Sequence, residues 1–439
     1  MHIALVTAGG AGMFCGSCLH DNSWARALRE AGHEVTLIPL YTPLRVDDED
    51  FTSTRVFYGG INVYLDQYLP GWRWLPRWLT RGLDAPRLLR WATRRGVSNN
   101  PAELGAMTVA MLKGPRGPQA AEGAELVRFL ARDLRPDVVV FSNMLLCAEV
   151  ERLKSVFAGP VFCTLQGDDI YIEGLREPYR GQVLDLLRPI AAALDGVIVH
   201  SRFYAEFMQS YLGIPREKFH RLPLAIDCRG HTGRPKPVGS PPTIGYFARL
   251  APEKGFEEFV AAGVALNRRR QNFRLLAGGY LPPQHRSYVD DALKRAGPLG
   301  SRFDYAGSPD TLAEKVALLS RCDVFSVPAP YLEPKGLYVL EAWANGVPVV
   351  QPGHGHFPEL LEEVGGGLCV PSGDPQVLAE AWDELLRDES RRRALAEQAW
   401  REVRTRHDLP ALASASERLF AACAKRTAPA SRSADGRPR

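Results

Sequence analysis

Short runs of consecutive apolar residues alternate along this chain with segments whose apolar positions recur every three to four residues. Ile3–Thr7 is the first such run, and a glycine-rich turn leads from it into a segment with Trp24, Ala25, Leu28 and Ala31 on one helical face. Gly32 and His33 stop that helix, and Val35–Leu40 reads as the second strand. Further strands are predicted at Val138–Phe141, Val161–Leu165 and Val197–His200, the last just after a turn at Gly196. Runs that are apolar on both faces, with helical patterns between them, belong to parallel sheets covered by helices on either side. The stretch Asp227–Pro242, DCRGHTGRPKPVGSPP, has no apolar period and reads as a linker. The alternation then restarts, with strands predicted at Ile244–Phe247, Phe273–Ala277, Val324–Val327 and Val347–Val350. Phe256, Phe259, Val260 and Val264 line one face of a helix in the same region. The expected fold is α/β: two Rossmann-like domains, each with a doubly wound sheet, facing across a cleft where ligands bind.

Composition narrows the possibilities. The 439 residues are 45% hydrophobic and carry 54 basic against 50 acidic side chains, a net charge of +4. That balance argues against a nucleic-acid partner. No run is long enough for a membrane-spanning helix, and MHIALVTAGG reads as a first strand, not a signal peptide. Eight cysteines in this length point to a reducing, cytoplasmic compartment. The charge is uneven, because Trp72–Arg95 holds four of the eight tryptophans, seven arginines and one acid. Such a segment suits peripheral contact with an anionic membrane or a lipid-linked acceptor, although Pro76 and Pro86 divide it and its tryptophans would equally serve as core.

The densest chemistry lies in Glu333–Glu341, EPKGLYVLE. Gly336 ends a loop and Leu337–Asn345 reads as a helix closed by Gly346, so Glu333 precedes the helix and Glu341 lies just over a turn inside it. Val339, Leu340, Ala342 and Trp343 surround Glu341 with apolar groups, and a carboxylate there needs donors, which ligand hydroxyls would supply. The first helix amides favour an anion at the same place. The plain alternative is two surface glutamates. Arg249 and Lys254, in YFARLAPEKGFEEF, follow a strand and precede a helix. They can neutralise a diphosphate there, or Lys254 can simply pair with Glu253 or Glu257. Three other signals compete. Cys15-Gly16-Ser17-Cys18 suggests a reactive thiol at a helix start, but no second pair completes a zinc site. His354 and His356 likewise lack further ligands. Gly9–Gly12 suggests a dinucleotide loop, yet no acid ends the second strand, where Pro39-Leu40-Tyr41 stands.

These residues together resemble glycosyltransferase family 4, retaining enzymes of the GT-B fold. The resemblance is carried by R-L-x-x-x-K-G at Arg249–Gly255 and by the two glutamates Glu333 and Glu341 with Gly336 and Leu337 between them. E-A-x-A-x-G-x-P-V-V from Glu341, PEL at Pro358–Leu360 and GGLCVPSGD at Gly366–Asp374 extend it. It implies that Arg249 and Lys254 hold the diphosphate of a nucleotide sugar, UDP- or GDP-linked. Glu341 would bind the ribose, while Glu333 and the Gly336 and Leu337 amides face the transferred sugar. Gly16 matches a glycine near the donor phosphates. Gln166 stands where the family usually has a histidine, and it can only hydrogen-bond. Asp168 and Asp169 beside it are either acceptor-side groups or solvated loop residues, and His356 either touches donor or acceptor or serves structure. No metal and no other cofactor is expected. The division expected is residues 1–230 with an insertion over 66–120, then 241–405, a helix over 406–425 returning to the first domain, and a disordered tail over 426–439. The acceptor is expected to be a glycan, lipid or small molecule. Binding of a sugar nucleotide without catalysis, binding at a membrane surface, and a dinucleotide-dependent oxidoreductase are the competing functions.

Overall fold

The computed structural model describes residues 1–9, 16–41, 57–58, 101–309, 311–371 and 373–427. The Trp72–Arg95 segment, Cys15, Gly10 to Gly12, residues 66–100 of the expected insertion and the tail from 428 lie outside them. Among the described residues there are two six-stranded sheets, all parallel. The first contains β1 (His2–Thr7), β2 (Glu34–Pro39), β3 (Val138–Phe141), β4 (Val161–Thr164), β5 (Gly196–Val199) and β6 (Phe219–Arg221), in the order β2-β1-β3-β4-β5-β6. The second contains β7 (Thr243–Phe247), β8 (Arg274–Gly278), β9 (Phe303–Tyr305), β10 (Val324–Phe325), β11 (Val349–Pro352) and β12 (Gly367–Val370), in the order β12-β11-β10-β7-β8-β9. The order reverses between β1 and β3 in one sheet and between β7 and β10 in the other. At such a switch point the loops leaving adjacent strands diverge to opposite faces and open a crevice. Both crevices lie at the carboxyl ends of the strands, and the candidate residues gather there.

The expected α/β fold is present, and each predicted strand occurs within two residues of its expected bounds. β6, β9 and β12 are additional. All three are edge strands of three or four residues: β6 (FHR) and β9 (FDY) are half-buried with polar members, and β12 (GLCV) is a short run that opens on glycine and is only partly buried. The central strands are apolar because helices cover both faces. Ile244 and Tyr246 in β7 and Leu275 to Ala277 in β8 are almost wholly buried. Residues 101–112 of the expected insertion form a helix, Pro101–Leu112, whose Val109 and Leu112 join the first sheet's core.

The linker carries one short 3-10 turn at Cys228–Gly230 and is otherwise irregular. It is fastened where the chain crosses a second time: the Ile226 amide donates to the His407 carbonyl at 2.9 Å, and His407 Nδ1 donates to the Leu224 carbonyl at 2.8 Å. The last helix, Leu409–Thr427, then returns to the first sheet, running two residues further than its sequence suggests. Its Phe420 stacks on Trp24 and tilts against Phe162 of β4, and Trp24 Nε1 donates to Ser416 Oγ at 2.9 Å. No helix among the described residues is long and apolar enough to cross a membrane.

Phe420 is fully buried against the opposite end of the chain. Phe420→Ala is expected to cost about 3–5 kcal/mol, because the cavity cannot collapse between two aromatic neighbours. A urea denaturation midpoint unchanged from wild type would show that this helix is not part of the first sheet's core.

Candidate active site

At the second switch point the loop after β7 brings Arg249 and Lys254, and the loop after β10 brings Tyr331 and Glu333. Lys254 ends a 3-10 turn, Pro252–Lys254, and Gly255 then starts the Phe256–Asn267 helix. Gly255 has φ +68°, and a Cβ there would lie 2.0 Å from the Pro328 carbonyl oxygen, so only glycine lets the two loops come this close. Lys254 Nζ donates to Glu333 Oε2 at 2.6 Å and to the Tyr331 hydroxyl at 2.7 Å. The Tyr338 hydroxyl donates to the same carboxylate oxygen at 2.8 Å. Lys254 therefore pairs with Glu333 and not with Glu253 or Glu257. Those two take other partners: Arg249 binds Glu253, and Arg295 binds Glu257. Burial alone would raise the Glu333 carboxyl, but Lys254's charge and the donors around it outweigh burial and hold it at about 2.

The Glu333 loop is fixed from behind. Gly355, φ +63°, would place a Cβ 2.6 Å from the Glu333 amide nitrogen, so the β11 loop presses directly on this backbone. The His356 amide donates to the Glu333 carbonyl at 2.8 Å, and its Nδ1 donates to the Lys335 carbonyl at 2.7 Å. His356 is buried and burial lowers its pKa, so it serves this loop as a neutral donor. Gly336 and Leu337 begin the Leu337–Ala344 helix as expected, and the free amides of its first turn point out of its start. Glu341, inside that helix, accepts from Lys315 Nζ at 2.9 Å. Its expected need for donors is thus met by a protein cation on the Leu312–Ser320 helix.

The first switch point holds a second polar cluster. Thr7, at the end of β1, donates through Oγ1 to Asp21 Oδ2 at 2.7 Å. Gln166 follows β4, and its Nε2 donates to Asp21 Oδ1 and to the Ser142 carbonyl, both at 3.0 Å. Asp168 receives the Met144 amide at 2.6 Å and the Gln166 amide at 2.9 Å, which locks the loops after β3 and β4 together. Burial raises its carboxyl to about 6 despite those amides. Asp169 accepts from the Tyr204 hydroxyl at 2.5 Å, and burial raises its pKa as well. Neither aspartate is the solvated loop group that the sequence left open. Cys18 is buried in the core beside Trp24, so its place is not that of an accessible thiol.

The two clusters face one another. Gly16 opens the helix Gly16–Glu30 with its Cβ position 3.9 Å from Leu337 Cδ1, and the Cβ position of Gly167 lies 3.4 Å from Pro334 Cγ. Lys335 crosses between the halves, donating to Gln166 Oε1 at 3.0 Å and to Ser17 Oγ at 3.2 Å. Glu359 crosses on the other side, accepting from the Arg202 and Phe203 amides at 2.9 and 3.1 Å and from Arg221 at 2.6 Å. The sequence reading missed Asp21, Lys315, Tyr331, Lys335 and Tyr338. Asp21 left a signal, being an acid on the same helical face as Cys18, Ala25 and Leu28. Lys335 stood inside the glutamate motif, but its partner lies 169 positions away.

Comparison with known proteins bears on both halves. Residues 233–402 match the family described as Glycosyl transferases group 1, and residues 99–229 match the one described as Glycosyltransferase Family 4. WcaL of Escherichia coli, named as a colanic acid biosynthesis glycosyltransferase, is 27% identical over 59% of this chain and 64% of its own. The GDP-mannose-dependent alpha-(1-6)-phosphatidylinositol monomannoside mannosyltransferase of Mycobacterium tuberculosis is 29% identical over 47% of this chain and 56% of its own. The chain therefore spans less than two thirds of the length of these relatives. Among solved structures, sucrose-phosphate synthase of Thermosynechococcus elongatus superposes with TM-score 0.68 at 18% identity, covering 96% of this chain and 98% of that one. Anabaena Alr3699/HepE in complex with UDP gives 0.66 at 17%, covering 96% and 100%. At such identities these two share the fold.

Lys254→Met leaves a buried carboxylate without its ammonium and is expected to cost about 3–5 kcal/mol near neutral pH. In wild type the lowered Glu333 value contributes stability that is present above the ordinary 4.5 and lost as pH falls toward about 2. In the variant burial dominates, the value lies above ordinary, and its contribution is present at low pH and lost as pH rises. Urea unfolding should show the deficit narrowing as pH falls from about 7.5 to about 4.5, whereas a constant deficit would contradict the pairing.

Proposed function

The chain belongs to the family-4-type glycosyltransferases of the GT-B fold, and from that premise we propose that it moves a sugar from a nucleotide-sugar donor to an acceptor hydroxyl with retention of anomeric configuration. The observation that carries the proposal is the Lys254–Glu333 pair at the β7/β10 switch point, with Arg249 on the same loop as Lys254 and Glu341 on the helix that follows Glu333. Arg249 and Lys254 neutralise the donor diphosphate and the charge that grows on it as it leaves, in place of a metal ion. An entering diphosphate draws Lys254 away from Glu333. The carboxylate, which Lys254 holds ionised before the donor enters, is then open to accept from hydroxyls of the transferred sugar. Glu341 takes the ribose hydroxyls beside Lys315, and the Gly336 and Leu337 amides support the sugar end. Gly16 borders the phosphates from the other half.

In the transfer itself the bond from the anomeric carbon to the phosphate oxygen breaks and a bond from that carbon to the acceptor oxygen forms. The acceptor approaches on the face from which the diphosphate leaves, and its hydroxyl proton passes to the departing phosphate oxygen. Gln166 does not act as the base. Both its donors and its acceptor are committed, so on the N-terminal side it positions neighbouring groups. Asp168 and His356 likewise brace loops, and Asp169, which accepts from the Tyr204 hydroxyl, remains the acceptor-side acid of this reading.

UDP- and GDP-sugars are the favoured donors: Alr3699/HepE is solved with UDP-glucose, and the mycobacterial relative is named GDP-mannose-dependent. The same relative's name gives a phosphatidylinositol mannoside as its acceptor, which supports a glycan or lipid-linked acceptor here. The basic Trp72–Arg95 segment is then the part suited to peripheral membrane contact, on the cytoplasmic side where nucleotide sugars are found.

A thermal-shift panel of UDP-, GDP- and ADP-sugars tests the reading. A true donor at a hundredfold excess over its Kd stabilises the fold by about 2.7 kcal/mol. Lys254→Ala and Glu333→Ala should abolish transfer while circular dichroism stays native. Normal turnover by either variant would refute the assignment. Donor binding without turnover on any acceptor would instead favour a sugar-nucleotide binding protein.

A further inference from the structure

Gln166 departs from the family's usual histidine, and the structure shows what the amide does that an imidazole cannot. Its nitrogen donates twice, to Asp21 Oδ1 and the Ser142 carbonyl, while its oxygen accepts from Lys335 Nζ. A neutral imidazole has one donor and one acceptor, so it could keep at most two of these three partners. The ammonium can only donate, which obliges the amide oxygen to face the opposite half. Lys335 is equally committed at its backbone: its amide donates to Glu333 Oε1 at 3.3 Å and its carbonyl accepts from His356 Nδ1. Asp21, Gln166, Ser142 and Lys335 are all buried. A continuous chain of hydrogen bonds therefore runs from Thr7 through Asp21 and Gln166 to Lys335 and the Glu333 carboxylate, joining the two switch points.

We propose that Lys335 is a positioning residue for the transfer, and that with Gln166 it forms a matched cross-cleft link holding the Glu333–Gly336 loop against the start of the Gly16–Glu30 helix. The link rests on the donor-site reading only for its catalytic consequence. Its geometry stands without that reading. By fixing the sugar-facing loop relative to the phosphate-facing helix, it sets the distance across which the donor must lie. Misplacing either side by about 1 Å costs on the order of a hundredfold in rate. The lysine and the glutamine thus act as one unit, so exchanging either alone breaks it.

Hydrogen–deuterium exchange on the full chain tests the link directly. Lys335→Met and Gln166→His are both expected to speed exchange about tenfold in residues 16–20 and 333–338 together, with the double variant no worse than either single one. Lys335→Arg, which keeps the donor, should restore most of the protection. Faster exchange throughout the protein, or in only one of the two segments, or in neither, would overturn the link, as would full protection in Gln166→His. A second readout concerns catalysis. With UDP-glucose or GDP-mannose, whichever wild type turns over, Lys335→Met should lower turnover roughly 10–100-fold while UDP or GDP affinity stays within about threefold. Turnover within twofold of wild type would overturn the positioning role. Failure of wild type to bind any nucleotide sugar would count against the proposed function and leave the exchange result standing.

Discussion

A carboxylate buried to the degree of Glu333 cannot be tolerated without a cation, and the loops around it are arranged to deliver one. Lys254 arrives on the β7 loop, Tyr331 precedes Glu333 by two residues, and Tyr338 turns its hydroxyl back from the following helix. Behind the carboxylate, Gly355 and His356 press on and hydrogen-bond the same backbone. Each contact is modest alone. Together they put a charged pair in a crevice where a strongly anionic ligand can compete for the lysine and a polyhydroxylated one for the glutamate. A nucleotide sugar carries both, its diphosphate joined directly to the transferred sugar.

The topology makes this arrangement accessible. Two parallel sheets, each reversing its strand order once, put their crevices at the carboxyl ends of the strands, and the linker lets those ends face each other. The contacts that close the space are few and polar: Lys335 to Gln166 and Ser17 on one side, Glu359 to the start of the Arg202–Leu212 helix and Arg221 on the other. Polar contacts of this kind depend on matched donors and acceptors, so each holds only while both partners are in place. Apolar packing is reserved for the joints that must not open, such as Phe420 against Trp24 and Phe162.

Most of the fold could be read from the chain because buried parallel strands are apolar on both faces. The edge strands β6, β9 and β12 escaped, β6 and β9 because they are short and partly polar, β12 because four residues opening on glycine look like the loop around them. Arg249, Lys254, Glu333 and Glu341 were recognisable as a set only through the resemblance to family 4, since their spacing alone equally fits an ordinary basic loop and two surface glutamates. Their pairing was not, since nothing local distinguishes Glu333 from Glu253 as Lys254's partner. That choice is made by the approach of the β10 loop to Gly255. Lys315 and Lys335 were illegible for the same reason, as both reach carbonyl or carboxylate oxygens on other elements. Gln166 was noticed as a departure, but its meaning depended on Asp21 and Lys335, which only folding brings near. The aspartates Asp168 and Asp169 looked like loop residues because their burial comes from neighbouring loops, not from their own helix.

The central claim is that Lys254 is shared between Glu333 and a donor diphosphate. Calorimetric titration of UDP and GDP into wild type and Glu333→Gln tests it most directly. If the lysine must leave the glutamate to meet the phosphates, the variant should bind the preferred nucleoside diphosphate more tightly than wild type does, by about tenfold. Equal or weaker binding by Glu333→Gln would mean that the pair is structural and that the diphosphate is held elsewhere.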